Sequence, residues 1–363
     1  MGKSYYRPAD YGNGVYTGSP WVVDNGFEDL ILTTSGWKKS YDLSVGDWVY
    51  NHKGSPAEVL RVGDTESSYR FTFSDGSSVL LPSGSSLFTR HTNWKDREYR
   101  FVEAEEILRT YKRGTRNNYR VRLDTILETE SYVPHIDPYL FGYWLGDGMS
   151  KSPAISVGAK DINWVSERLS KCSGVIDIRV TETNGSYLVY PYTAERRGGG
   201  NLQSTLRHLG VLNHKHIPLS FLSSPSQYRL SVLRGMMDSD GTVAVKSTSS
   251  AMFTSSYSNV AFGFHSLARS LGIGLSPYVT PSYYRGKRVR DRTKFWFQSS
   301  ACPFEMERKE QRWRSVKPGV PKSEMSLTSI TQITPKPSVS ITIDDPLGVY
   351  LMGPLFTPVS TSA

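Results

Sequence analysis

Two short segments constrain what this chain can fold into more than any other feature: LFGYWLGDG, from Leu140 to Gly148, and LRGMMDSDG, from Leu233 to Gly241. Each reads as a largely apolar helical stretch that closes on Asp-Gly. Gly148 and Gly241 suit the left-handed position that ends a helix. Gly142 and Gly146 lie four apart on one face of the first segment, and Gly235 and Ser239 do the same in the second. Small residues at that spacing leave a flat stripe, so two such helices can pack closer than the usual ~8–10 Å. That packing sets Asp147 and Asp240 side by side. A carboxylate at a helix C-terminus opposes the macrodipole by ~0.3–1 kcal/mol. Two carboxylates in proximity also repel, which raises a pKa. The natural compensating cation is Mg²⁺, which takes hard oxygen ligands, with Mn²⁺ as a substitute. Two carboxylates, waters and a phosphodiester oxygen make a site for in-line hydrolysis. One Asp-Gly alone is no more than a turn after a core helix. Two copies, 93 residues apart with similar strand patterns behind each, favour the site.

The surroundings divide by periodicity. Between Tyr139 and Arg314 the pattern predicts helices at 138–147, 161–172, 201–209, 226–239 and 257–271. Strand-like VIDIRVT, SYLVYPY, LSPYVTP and KFWFQ lie between them, so helix, strands, helix occurs twice, a weak repeat of about one hundred residues. From Leu30 to Tyr132, short strand segments alternate with turn signals such as SDG and PSG. After Lys322 the β pattern returns. The expected organisation is a leader (1–23), an all-β unit in two parts (24–135 and 321–358), an α+β unit inserted between them (136–320), and a tail (359–363).

Charge points to the partner. The 363 residues carry a net charge of +9, a weak sign of a polyanionic ligand. Arg109, Lys112, Arg113, Arg116 and Arg120 fall in a run with no acidic residue, and Arg285, Lys287, Arg288, Arg290 and Arg292 in another with only Asp291 against them. Cations on strands or hairpin loops can track phosphates and read guanine edges, so both runs are candidate DNA contacts. No apolar run nears the ~20 residues of a bilayer span. The polar start has no secretory apolar region, and Tyr6 does not fit a myristoylation signal. Two cysteines are too few for a disulfide framework or a zinc site. The expected setting is reducing and cytoplasmic. Trp21, Trp37, Trp48 and Trp94 are expected to be core or edge aromatics rather than base-stacking platforms.

The paired segments resemble the two motifs of the LAGLIDADG (dodecapeptide) homing endonucleases. NHKHIPLSFLSSPSQYRLSVLRGMMDSDGTV, from Asn213 to Val243, is similar to the family's linker and second motif, and SLARSLGI and PFEMERKEQRW also fit. The resemblance covers about residues 136–315. It implies a pseudo-two-fold α+β domain of αββαββα repeats, a monomer reading a long asymmetric duplex DNA target. By position Asp147 and Asp240 are its catalytic metal ligands, with Gly146 and Ser239 beside the metal. Gly142, Gly146, Gly235 and Ser239 are the helix-interface positions. The family's accessory lysine is assigned first to Lys294, in TKFWFQ, and second to Lys246.

The flanking β unit resembles the Hint fold of inteins, in LILTTSGWKKSYDLSVGDWVYNHKG, YRFTFSDGSSVLLPSGSSLFTR and VSITIDDPLGVYLMGPLFTP. The splicing residues depart from that pattern. Asp24 stands where Cys or Ser opens an intein, Ser86 where the block His stands, and Val359-Ser360 near the terminal His-Asn. Those three chemistries cannot all be replaced with nucleophilic catalysis left intact. The expectation is a nuclease with a β unit that no longer splices. The rivals are an active self-splicing intein and an RNA-binding maturase without cleavage.

Overall fold

In the computed structural model, residues 29–361 are described apart from 66–67, 124, 130–131, 184, 194–200, 247, 286 and 334–337. The leader, with Trp21, and Asp24 lie outside the described residues. Among the described residues there are seven α-helices: α1 Ala104–Thr110, α2 Pro138–Asp147, α3 Ile162–Ser170, α4 Leu202–His208, α5 Ser226–Asp240, α6 Ser258–Ser270 and α7 Glu307–Arg314. They accompany many strands in a mixed α/β architecture. Helices α2 to α6 coincide closely with the apolar periodicity. The start of α2 is fixed locally: Asp137 Oδ1 accepts from the Leu140 amide at 3.0 Å, and Pro138 follows it. Asn201 caps α4 in the same way, accepting from the Ser204 amide at 2.9 Å.

The early and late strands interleave in one 13-stranded sheet. Glu324–Ile333 runs antiparallel between Tyr119–Arg122 and Ser68–Phe73. Tyr350–Met352 lies between Leu30–Thr33 and Thr357–Thr361. Their inward positions, among them Phe71, Phe73, Leu81, Leu87, Val121 and Leu327, form one core cluster.

Between those strands the chain builds two smaller sheets around the α2–α5 pair. One has three strands in the order Ile155–Gly158, Ser186–Thr193, Val175–Thr183. The other has four: Gly241–Val245, Ser249–Ser255, Lys287–Phe297 and Ser276–Tyr284. The last three strands of the second sheet repeat the order of the first. The second half therefore runs helix, two strands, helix, two strands, helix. In the first half the opening strand shrinks to a single bridge between Gly148 and Ile155. That half departs from the expected repeat by one strand.

Buried polar groups join the two regions. Asp75, in the turn after Ser68–Phe73, faces His265 of α6, with Oδ2 and Nε2 3.3 Å apart. Arg269 Nη1 donates to the Leu123 carbonyl at 3.0 Å. Arg229 of α5, fully buried, donates to the carbonyls of Ser224 (2.8 Å), Ser270 (2.6 Å) and Leu127. All three are backbone oxygens in segments without regular structure or at a helix end, which is where orphan acceptors arise.

Two sequence readings are corrected. Helices α1 and α7 stand where the strand pattern and the charged run concealed them. Gly148 (φ −71°, ψ 151°) and Gly241 (φ −85°, ψ 153°) are extended, not left-handed. Glycine is needed there because a Cβ would strike the last turn of its own helix, at the Trp144 and Met237 carbonyls. Trp37 and Trp94 are half-buried and pack against the edges of the two core clusters, and Trp48 is 45% exposed.

Candidate active site

The site follows from how closely α2 and α5 approach. A Cβ on Gly142 would overlap the Val232 carbonyl oxygen, and one on Gly235 would overlap the Tyr139 carbonyl and lie 2.7 Å from the Tyr143 nitrogen. Backbone thus meets backbone, which only glycine allows. Towards the C-terminal ends, Gly146 abuts the Ser239 hydroxyl, and a Cβ there would stand 3.3 Å from Asp240 Oδ2. Ser239 Oγ folds back onto the carbonyls of Gly235 (3.1 Å) and Met236 (2.9 Å), which keeps the stripe flat.

The packing brings Asp147 and Asp240 together at one end of the pair. Burial, then the charge of Asp240, pushes the Asp147 carboxyl up to about 7. Burial raises Asp240 as well. Among the described residues neither carboxylate receives a hydrogen bond, and their nearest opposing charges are two lysines and Arg292. Two carboxylates without donors, Asp147 half-buried and Asp240 reaching solvent at the end of its helix, are a fit for a hard divalent cation that keeps part of its water shell.

Those lysines are Lys215 and Lys309, which the sequence reading missed. Lys215 precedes the Ile217-Pro218 link and is 5% exposed; its Nζ donates to the carbonyls of Leu145 and Gly146, each at 3.1 Å, and lies 5.1 Å from the Trp144 ring centroid. Lys309 of α7 is 6% exposed and donates to Met237 (3.0 Å), Asp238 (2.6 Å), Ser239 (3.3 Å) and Gly241 (2.8 Å). Each ammonium therefore closes the C-terminus of one motif helix, satisfying its orphan carbonyls and its dipole. Burial pulls both lysines down to about 8, against the attraction of the nearby carboxylates. Trp313, four residues on and buried, shows the helix face of Lys309 to be the inner one.

The remaining predicted residues are placed as follows. Gly146 and Ser239 flank the carboxylates, but their carbonyls already serve Lys215 and Lys309, leaving one lone pair each. Lys294 is set apart: it pairs across from Tyr278, its Nζ 5.8 Å from that ring centroid, and it is absent from the charges acting on either carboxylate. Strand alternation puts Lys294 on the face opposite buried Phe295, the face it shares with Arg292. Lys246 is exposed. Arg109, Lys112, Arg113 and Arg116 are exposed at the end of α1 and on the hairpin Lys112–Arg113/Arg116–Asn117. Arg120 is half-buried and donates to the Asn117 and Tyr119 carbonyls. Arg285, Lys287 and Arg292 are exposed on the Ser276–Tyr284/Lys287–Phe297 hairpin. Arg288 and Arg290 are on the same hairpin, and their side chains lie outside the described residues. In the large sheet Ser86 pairs with Ser360, and Leu87 with Val359. His91, at the far end of that strand, packs edge-on against Tyr119 with ring centroids 5.0 Å apart.

Residues 216–303 match the family model described as homing endonuclease. A homing endonuclease domain, of a class of nucleases that bind DNA, is therefore present in this chain. The match includes Asp240 but stops short of Asp147, Lys215 and Lys309. Among curated proteins, the replicative DNA helicase DnaB of Mycobacterium intracellulare is 27% identical over 233 residues, covering 58% of this chain and 36% of the relative. The chain thus spans about a third of the length of that relative. Among solved structures, similar chains include the MchDnaB-1 intein (19% identity, 24% of this chain and 61% of that one, TM-score 0.18). Another is the Msm DnaB1 intein splicing domain bound with zinc (23% identity, 21% and 57%, TM-score 0.17). Among the described residues no helix is long and apolar enough to cross a membrane.

Proposed function

We propose that this chain is a LAGLIDADG-type homing endonuclease that hydrolyses both strands of a long, asymmetric duplex DNA target as a monomer. The carrying observation is the glycine-mediated approach of α2 and α5, which puts two donor-free, raised carboxylates between two buried lysines. Asp147 and Asp240 hold the metal, each aided by the adjoining carbonyl of Gly146 or Ser239. Mg²⁺, or Mn²⁺ in its place, supplies the polarisation of the phosphate and the activation of water that such sites use. The protein's own share is electrostatic. Lys215 and Lys309 are fixed by backbone carbonyls before substrate arrives, so their charge needs no reorganisation as negative charge grows on the phosphate. The basic hairpins at 112–117 and 276–297 supply phosphate and groove contacts on either side. Three of the splicing positions, Ser86, Val359 and Ser360, carry no Cys, His or Asn, so the large sheet is without splicing chemistry, and the basic run from Arg109 to Arg122 suits that region to a second DNA-binding arm.

The test is cleavage of a randomised duplex library with Mg²⁺ by the wild type and by Asp147→Asn and Asp240→Asn. Cutting is expected to be lost in both variants. Wild-type rates in both would remove this site. Intact-mass measurement after incubation with thiol should show the full-length chain, and a break near residue 24 or 360 would restore the splicing reading.

A further inference from the structure

At one buried position, two residues before the terminal carboxylate, the two motif helices differ in charge and not only in size. In α2 it is Leu145; in α5 it is Asp238, 1% exposed. A buried carboxylate where the paired copy manages with leucine requires a reason. All of its bonding falls on one oxygen. Asp238 Oδ2 accepts from Tyr139 Oη of α2 at 2.8 Å and from the backbone amides of Glu305 and Met306, each at 3.0 Å. Oδ1 is buried and has no hydrogen-bond partner.

Those two amides are the last before α7, which Met306 caps without using its side chain. Asp238 is thus the acceptor that the start of α7 otherwise lacks. Lys309 sits in the first turn of that helix, its own amide bonded to the Met306 carbonyl at 2.8 Å. Its ammonium returns to the Asp238 carbonyl at 2.6 Å. Asp238 therefore holds both ends of a short clasp, side chain to the helix start and backbone to the lysine tip. The seat is braced further out. Glu305, next to the clasp, takes Arg168 Nε at 2.8 Å, and the Arg168 guanidinium lies over the Tyr139 ring at 3.9 Å. The first half has no equivalent. Lys215 comes from a loop and reaches two carbonyls rather than four, with no carboxylate behind it.

We infer that Asp238 is a positioning residue for Lys309: it docks the start of α7 on α5 and thereby aims that ammonium at the carboxylate pair. The inference rests on the nuclease reading only for what Lys309 does there, and its first test measures position alone. The full chain, without metal or DNA, is labelled with an amine-acylating reagent and the modification at Lys215 and Lys309 is followed by mass spectrometry. In the wild type both lysines are protected. In Asp238→Asn, which keeps the shape and one acceptor oxygen but loses the charge, Lys309 labels at least about fivefold faster while Lys215 is unchanged. Asp238→Leu, which copies the first motif, enlarges the same selective effect. Equal exposure of both lysines, or protection of both, overturns the inference. The second test is a cycle with Lys309→Met, reading single-turnover cleavage and DNA affinity separately. Asp238→Asn lowers the rate with Kd moved less than about threefold, and adds no loss on top of Lys309→Met. Losses that multiply in the double variant overturn it.

Discussion

Replacing Gly142 by alanine sets two effects of known sign against each other. In a helix interior alanine is favoured over glycine by ~1 kcal/mol. Here the added methyl carbon meets backbone, not side chain: the Val232 carbonyl oxygen lies well inside contact distance, its carbon at 2.9 Å and the Met236 nitrogen at 3.1 Å. None of these atoms can rotate aside, so the overpacking cost belongs at the upper end of the usual ~1–3 kcal/mol. The net expectation is a loss of about 2 kcal/mol, or a fall in Tm of about 4–8 °C at 2–4 °C per kcal/mol. The helices must also separate by about 1 Å, and displacement of that size at a reacting centre costs on the order of a hundredfold in rate. Gly235→Ala should behave alike, since it meets Tyr139 and Tyr143 backbone. Gly158, beside which a Cβ meets nothing within 4 Å, is the control. Calorimetric melts and single-turnover cleavage measure both effects. If Gly142→Ala melts within about 1 °C of the wild type and cuts at the same rate, the close helix contact is not what builds the site.

Lys215→Met and Lys309→Met should each slow single-turnover cleavage by on the order of a hundredfold, with Lys294→Met within about threefold; a comparable loss at Lys294 would return the accessory role to that strand. Burial and then Asp240 raise Asp147 to about 7, above the ordinary ~3.9. Ionising it therefore works against the fold increasingly from about pH 4 to 7. Metal-free Asp147→Asn should consequently melt above the wild type at pH 8, with the gap closing by about pH 4, and a pH-independent gap would remove the account. Burial opposes the charge of Asp75, yet His265, Arg269 and Ser77 outweigh it and hold that carboxyl well below the usual range. Its contribution is present above about pH 4 and lost as pH falls further. Asp75→Asn should lower Tm at pH 7 by a few degrees and by progressively less in acid, as melts followed by circular dichroism would show.

The helices of the nuclease region were legible because their apolar spacing and their caps agree: Asp137-Pro138 opens α2, Asn201 opens α4, and the small-residue stripe marks the face that α2 and α5 share. What escaped were features set by distant partners. Glu307–Arg314 is so charged that no helical apolar face is visible, and only the packing of Trp313 reveals which side is inside. Nothing in the sequence singles out Lys215 and Lys309, because their acceptors are backbone carbonyls at helix ends, which a sequence does not display. Lys294 is attractive for its place in the last strand of the repeat, but it lies against Tyr278 and is not among the charges that act on Asp147 or Asp240. Gly148 and Gly241 were rightly singled out for the wrong reason, since a clash with the preceding turn requires glycine as firmly as a left-handed backbone does.

The interleaved sheet also has a consequence for how the chain reaches its native state. Tyr119–Arg122 pairs with Glu324–Ile333, and the Leu123 amide bonds the Ser323 carbonyl at 2.9 Å. The strands on either side of the inserted stretch are therefore neighbours in space although about two hundred residues separate them. Closing a disordered loop of that length costs on the order of 5 kcal/mol of chain entropy. A stretch that has already folded, with its two ends held side by side, has met that cost within its own core. The α2–α5 region should thus acquire structure first and the large sheet zip up after it, the late strands waiting on contacts that are remote in sequence. The same proximity lets the stretch be cut out and its flanks rejoined by a short turn, so a chain built this way can lose or receive its cutting machinery with little disturbance to the sheet that carries it.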